Sequence, residues 1–194
     1  MPKLRILILL FLLPSLISLG WGSKGHRLIT KHALTALQDQ MKLSENIVEK
    51  IIHHCVDPDI RKKDDPAEPN KHFIDIDFYE EFLNGMMITS YDSLVSIYSD
   101  STVIEMGTLP WATELTYNKL IDAFKNNDKN NVILFGSDLA HYVADGHQPL
   151  HTTLNYNGEL TGQKGIHFRH ESDLVNSYLE EIERKISVSN PVHV

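Results

Sequence analysis

His141 and Asp145 stand four residues apart in a stretch with helical periodicity. Both side chains therefore leave one face about one turn apart, a spacing from which two groups reach one metal ion. His167 and Glu171 repeat the i, i+4 pairing, and between the pairs, just after Gly-His-Gln-Pro-Leu at 146–150, comes His151. Imidazole nitrogens and carboxylate oxygens are zinc ligands, and facing helical pairs are how helix bundles build multinuclear sites. One such pair alone reads more readily as a surface ion pair or a helix-stabilising contact. Two pairs and a third histidine within one short window point to metal. The remaining histidines divide differently: His147 suits a supporting or turn role, and His32, His53, His54, His170 and His193 read as ordinary solvated or half-buried side chains.

The elements that must position these groups read as helices. Arg27–Met41 carries Leu28, Ile29, Ala33, Leu34 and Leu37 at helical spacing; Ser44 is placed to cap a second helix with Ile47, Val48, Ile51, Ile52 and Cys55 on one face, ended by Pro58. Residues 61–71 form a charged loop with the turn signal Asp64-Asp65-Pro66. Tyr91–Tyr98 is a short helix, Pro110 fits the first turn of one running to Lys125, and Asn130-Asn131 open another that Gly146 and Pro149 close. Residues 155–165, with three glycines, are a loop, and 167–186 read as the last helix. No repeat, alternating strand or low-complexity linker interrupts this, so the expected fold is all-α: one compact helical domain over residues 21–194.

The length of 194 residues with 42% hydrophobic and 23% charged side chains suffices for one core. Residues 1–20 have the grammar of a signal peptide: Lys3 and Arg5, an unbroken apolar run over 6–13, then Ser18-Leu19-Gly20 with small residues at −3 and −1. Pro14 and the serines keep the segment short for a membrane span, so no stable membrane anchor is expected. Cleavage after Gly20 would start the mature chain at Trp21 and place it outside the cytoplasm, secreted or periplasmic. Formal net charge is −8; losing Lys3 and Arg5 leaves 16 basic against 26 acidic side chains, or −10. That sign excludes a protein that coats a nucleic-acid backbone through a broad basic surface. The single cysteine, Cys55, excludes an internal disulfide and suits a small buried hydrophobe.

Five blocks occur in a specific order: Trp-Gly-Ser-Lys-Gly-His (21–26), Pro-Asp-Ile-Arg (58–61), His-Phe-Ile-Asp-Ile-Asp (72–77), the run from His141 to His151, and Gly-Ile-His-Phe-Arg-His-Glu (165–171). In that order the chain resembles the superfamily of zinc-dependent phospholipases C and single-strand-specific zinc nucleases, from Trp21 to about Tyr178. The resemblance implies a helical fold around three zinc ions. It assigns Asp59, His72, His141 and Asp145 to a first zinc and His151, His167 and Glu171 to a second. Trp21, through its free amino group and carbonyl, His26 and a shared Asp145 would hold the third. An α-amino group titrates near pH ~7.7–8.0, so a metal captures it readily, and only a cut chain presents one. Asp57 competes with Asp59 as ligand, since Pro58 makes their directions hard to separate; Pro-Asp followed by a basic residue is the better match to the motif.

The implied chemistry is hydrolysis of a phosphodiester by metal-activated hydroxide. Asp59 and Arg61 are the candidate catalytic side chains. Arg61 either reaches the phosphate or pairs with Asp64 or Asp65, and it stands one residue closer to Asp59 than in the nuclease pattern. Phe73 is the candidate substrate-binding residue, stacking on a base or lining a lipid headgroup pocket, with core packing as the alternative. Glu171 and the negative charge favour the phospholipase C-like branch, with a phospholipid headgroup as substrate. The His-Gln-Pro-Leu-His string favours the nuclease branch, with single-stranded nucleic acid. The stretch after Glu171 is shorter than in family members generally, which leaves a third expectation: a shortened or inactive zinc-binding remnant.

Overall fold

The computed structural model describes residues 21–186; the expected signal peptide and residues 187–194 lie outside them. Ten α-helical segments follow in order: α1 (Gly22–Met41), α2 (Glu45–His54), α3 (Asp57–Arg61), α4 (Glu80–Leu83), α5 (Tyr91–Tyr98), α6 (Asp100–Glu105), α7 (Leu109–Lys125), α8 (Lys129–Gly146), α9 (Ile166–Phe168) and α10 (Val175–Lys185). A π-helical turn, Arg169–Leu174, joins α9 to α10, and the described residues contain no strand. The all-α, single-domain expectation holds. No described helix is long and apolar enough to cross a membrane.

α8 is the centre of the assembly. α7 and α8 form an antiparallel pair, turned at Asn127 with positive φ and closed by the Asp128 side chain, which accepts from the Asn131 N–H at 3.1 Å. α2 and α1 pack on α8, and α10 packs back on α1. α2 docks through Val48 and Ile51, and Gly136 of α8 admits Ile51 closely: a Cβ there would meet its Cδ1 at 3.1 Å. The middle of this bundle is polar. His26, Asp59, His141, Asp145 and Glu171 are among its most buried side chains. The clustered apolar core is displaced to one side, where Ile74, Tyr79, Leu94 and Val103 pack under α5 and α6. Ser90 and Ser99 cap those helices by accepting from Ser93 and Thr102 N–H groups, an arrangement typically worth about 1 kcal/mol each.

Several elements depart from the sequence reading, which placed no helix at α4 and began α1 at Arg27 where the structure begins it at Gly22. α2 stops at His54, and Pro58, instead of ending it, occupies the first turn of the short helix α3, where its missing N–H is harmless. α6 is an unexpected helix, too short for its apolar residues to display a period. The expected helix over 167–186 is three pieces, because the backbone widens into the π turn at the residues that carry Glu171 inward. Such widenings inside helices recur at functional sites.

The segment before the apolar core is pinned to residues 106–109. Thr108 N–H donates to Asn70 O (2.6 Å), Leu109 N–H to Phe73 O (3.2 Å) and Asp75 N–H to Met106 O (2.7 Å). This close approach requires glycine at 107, with φ +92°, since a Cβ there would lie 2.2 Å from Phe73 O. His72 and Phe73 are thereby fixed at the edge of the polar centre.

Candidate metal centre

The ligand-type side chains converge from several separate elements. α8 delivers His141 and Asp145 from its last turns; α3 delivers Asp59; a 3-10 turn, Pro69–Lys71, ends on His72. A second 3-10 turn ends on His151, α9 carries His167 and the π turn carries Glu171. α1 brings His26, its ring stacked on that of His141 at 3.9 Å. Three groups of these buried residues could hold a metal ion: Asp59, His72 and His141; His151, His167 and Glu171; and His26, His141 and Asp145.

Their spacing is that of a coordination shell. Around tetrahedral zinc with ligands at ~2.0–2.1 Å, donor atoms stand roughly 3.3 Å apart. In the first group His72 Nδ1 is 3.0 Å from His141 Nε2, and Asp59 Oδ1 lies 3.6 and 3.7 Å from these two nitrogens. Asp145 Oδ2 joins them at 2.9 Å from His72 Nδ1 and 3.2 Å from His141 Nε2. Its other oxygen, Oδ1, stands 3.4 Å from His26 Nε2, so one carboxylate faces two groups. In the second group His151 Nε2 lies 3.1 Å from His167 Nε2 and 2.9 Å from Glu171 Oε1, and His167 Nε2 is 2.6 Å from that oxygen.

Buried polar atoms without partners are costly and rare. Among the described residues most of them belong to these groups, His26 Nε2, Asp59 Oδ2, Asp145 Oδ1 and both Glu171 oxygens included, while Thr30 Oγ1, His32 Nε2 and the Tyr79 hydroxyl lie elsewhere. The histidines are already oriented from behind. His141 Nδ1–H donates to Cys55 O (2.7 Å) and His151 Nδ1–H to His72 O (2.8 Å), which leaves each Nε2 lone pair aimed into the cluster. That is how metal-ligating histidines are usually held. The donor set could therefore hold a metal ion, zinc among the ions that imidazole and carboxylate ligands suit.

Burial alone would raise the Asp145 carboxyl, but His141, His26 and His72 around it hold it well below the usual carboxylate range. Asp59 and Glu171 are lowered against burial in the same way, Asp59 by His141, Lys62 and His72, and Glu171 by His151 and His167. Against their own burial, His141 is raised by Asp145 and Asp59, and His151 by Glu171 and Asp145. His26 is lowered, by burial and by His141.

Stability from the raised His141 and His151 is complete below the unfolded value of about 6.5 and is lost as pH climbs through their folded values. The lowered His26 works the other way and costs stability as pH falls below about 6.5, and the lowered carboxylates lose theirs further into acid. Chelator-treated protein should therefore melt highest near pH ~6.5 and lower at ~8.5, whereas zinc-loaded protein, whose ligands bind metal in place of protons, should hold or gain over that interval. Parallel melting curves for the two forms would contradict this.

Other residues singled out in the sequence fall differently. Asp57 is part-exposed and accepts from His54 Nδ1 at 2.8 Å, away from the cluster, while Asp59 is 2% exposed within it. Arg61 faces away from the cluster: it pairs with Asp138 (Nη2–Oδ2 2.9 Å) and Glu68 (Nη2–Oε1 3.3 Å), not with Asp64 or Asp65. Trp21 rests against the site, its indole Nε1–H donating to Ala144 O at 2.7 Å beside Asp145. Phe73 lines a cleft of about 520 Å³ that reaches His72 of the first group and His151 and His167 of the second. Lys62 lines the same cleft and donates to Asp59 Oδ1 at 2.7 Å. The sequence reading missed Lys62, although the short Asp59–Arg61 spacing was the signal: the next residue is also basic and stands one helical turn from Asp59.

No protein-family model, curated protein or solved structure matches the chain.

Proposed function

We propose that the chain is a zinc-dependent hydrolase of phosphodiester bonds, exported and cut before Trp21, with three zinc ions held by Trp21, His26, Asp59, His72, His141, Asp145, His151, His167 and Glu171. The observation that carries this reading is the convergence of buried, partnerless donors at zinc-ligand spacing on the floor of an open cleft. Zinc bound there supplies Lewis acidity and brings coordinated water towards ionisation at neutral pH. Asp59, kept ionised by its neighbours, presents a free Oδ2 that can orient water and accept its proton. Lys62 Nζ stands at the cleft wall to hold a phosphate oxygen as negative charge develops on it.

Phe73, Tyr156 and Asp75 line the cleft beside the metal groups, and in this reading they receive the departing group. Aromatic faces and a carboxylate fit a cationic headgroup, and the acidic protein favours a small phosphodiester over a polyanion, so the phospholipase C-like reading leads. A nuclease is the second reading: Asp75 lines the cleft where its carboxylate can accept from a base edge while Phe73 stacks on the face.

Hydrolysis of a short-chain lecithin and of single-stranded DNA, each measured with zinc and with chelator, tests the proposal and separates the two substrates. Zinc-dependent cleavage of either supports phosphodiester hydrolysis; cleavage of neither by zinc-loaded protein overturns it and favours the non-catalytic zinc-binding remnant. Lys62→Ala should lower kcat/KM about 100-fold with zinc content retained. Unchanged hydrolysis would remove Lys62 from the reaction.

A further inference from the structure

His72 differs from its neighbours in the way it enters the cluster. His141 and His151 turn Nε2 inward and tie Nδ1 to a main-chain carbonyl. His72 turns Nδ1 inward, 2.9 Å from Asp145 Oδ2 and 3.0 Å from His141 Nε2. Its Nε2 points outward into a buried setting where it has no hydrogen-bond partner. A metal on Nδ1 leaves the ring hydrogen on Nε2, and a buried N–H demands an acceptor.

The group facing Nε2 is Glu68, whose Oε1 lies 3.5 Å away, just beyond a good hydrogen bond. Glu68 is 1% exposed and is held from several sides. Its Oε1 accepts from the Tyr142 hydroxyl and from Arg61 Nη2 (3.3 Å), and its Oε2 from Lys71 Nζ (2.8 Å). Arg61 is in turn locked to Asp138 through Nη1–Oδ1 (3.0 Å) and Nη2–Oδ2 (2.9 Å). Tyr142 follows His141 on α8, and Arg61 lies two residues after Asp59 on α3. Glu68 is thus fastened to both elements that carry the other ligands of the first group.

We propose that Glu68 is the positioning residue of the first metal group: it accepts the Nε2–H of His72, fixes Nδ1 as the metal-binding nitrogen, and relies on Arg61 and Tyr142 to hold it there. Arg61 acts on the site from behind, through Glu68, and does not touch the substrate. The inference rests on the zinc-binding part of the function proposed above and not on the reaction.

The test is a chelator-competition zinc titration of the mature chain and of Glu68→Gln and Glu68→Ala, with long-range 15N–1H NMR of the histidine rings in the zinc-loaded wild-type protein. One class of zinc should weaken by about 10–100-fold in Glu68→Ala, and less in Glu68→Gln, whose amide oxygen still accepts. The other classes should keep their affinity. His72 should show a metallated Nδ1 and a protonated Nε2. A metallated Nε2, or wild-type affinity at every site in the Glu68 variants, overturns the proposal. Should Glu68→Ala fail to fold, the wild-type His72 spectrum and Glu68→Gln decide. A chain that binds zinc in this way and cleaves no phosphodiester leaves the inference standing and removes the reaction.

Discussion

Asp145→Asn should weaken two metals at once. Asp145 Oδ2 lies within 3.2 Å of both His72 Nδ1 and His141 Nε2, while Oδ1 faces His26 Nε2 at 3.4 Å. Asparagine keeps the shape but presents one neutral oxygen and two N–H donors, and these donors would point at lone pairs or at a cation. The substitution also leaves His141 without the neighbouring charge that offsets its desolvation. Losing a ligand should exceed the roughly 100-fold that a change behind a ligand can cost. The variant should therefore retain about one zinc through a chelating column and show no measurable hydrolysis. Loss of a single metal, with the other two bound as in wild type, would show that the carboxylate does not bridge.

The second large effect concerns the amino terminus that the proposed cut before Trp21 would create. An extra Met-Gly in front of Trp21 converts its amine into an amide, which has no basic lone pair to offer a metal. Trp21 is otherwise well held, by its indole on Ala144 O and by Gly22, at whose Cα a side chain would meet Ser172 Oγ at 3.3 Å. The extended protein should keep its helicity, bind about two zinc ions and hydrolyse poorly. Equal zinc and equal activity in extended and trimmed proteins would take Trp21 out of the site and leave its ring as a packing group.

What the sequence made legible was local. α5 spans the residues read as a short helix, Tyr91–Tyr98, and α7 runs to Lys125 with Pro110 in its first turn as expected. His141 and Asp145 were readable because an i, i+4 pair on a helix fixes its own geometry, whereas His167 and Glu171, read as such a pair, are brought together across a π turn. Residues whose direction depends on a distant partner were not readable. Arg61 turns towards Asp138, 77 positions away, and Glu68 towards Tyr142, 74 positions away. No pattern within a helical turn announces either contact. The π turn was hidden for a related reason: its sequence, Arg-His-Glu-Ser-Asp-Leu, is acceptable in an α-helix, and the widening serves Glu171's approach to His151 and His167 rather than any local preference.

The most direct measurement is the zinc content of the purified chain beginning at Trp21, determined by elemental analysis after exhaustive dialysis against metal-free buffer. The eight residues of the three buried groups, with the Trp21 amine as the proposed ninth ligand, predict close to three zinc ions per chain. One equivalent or none would contradict the trinuclear centre.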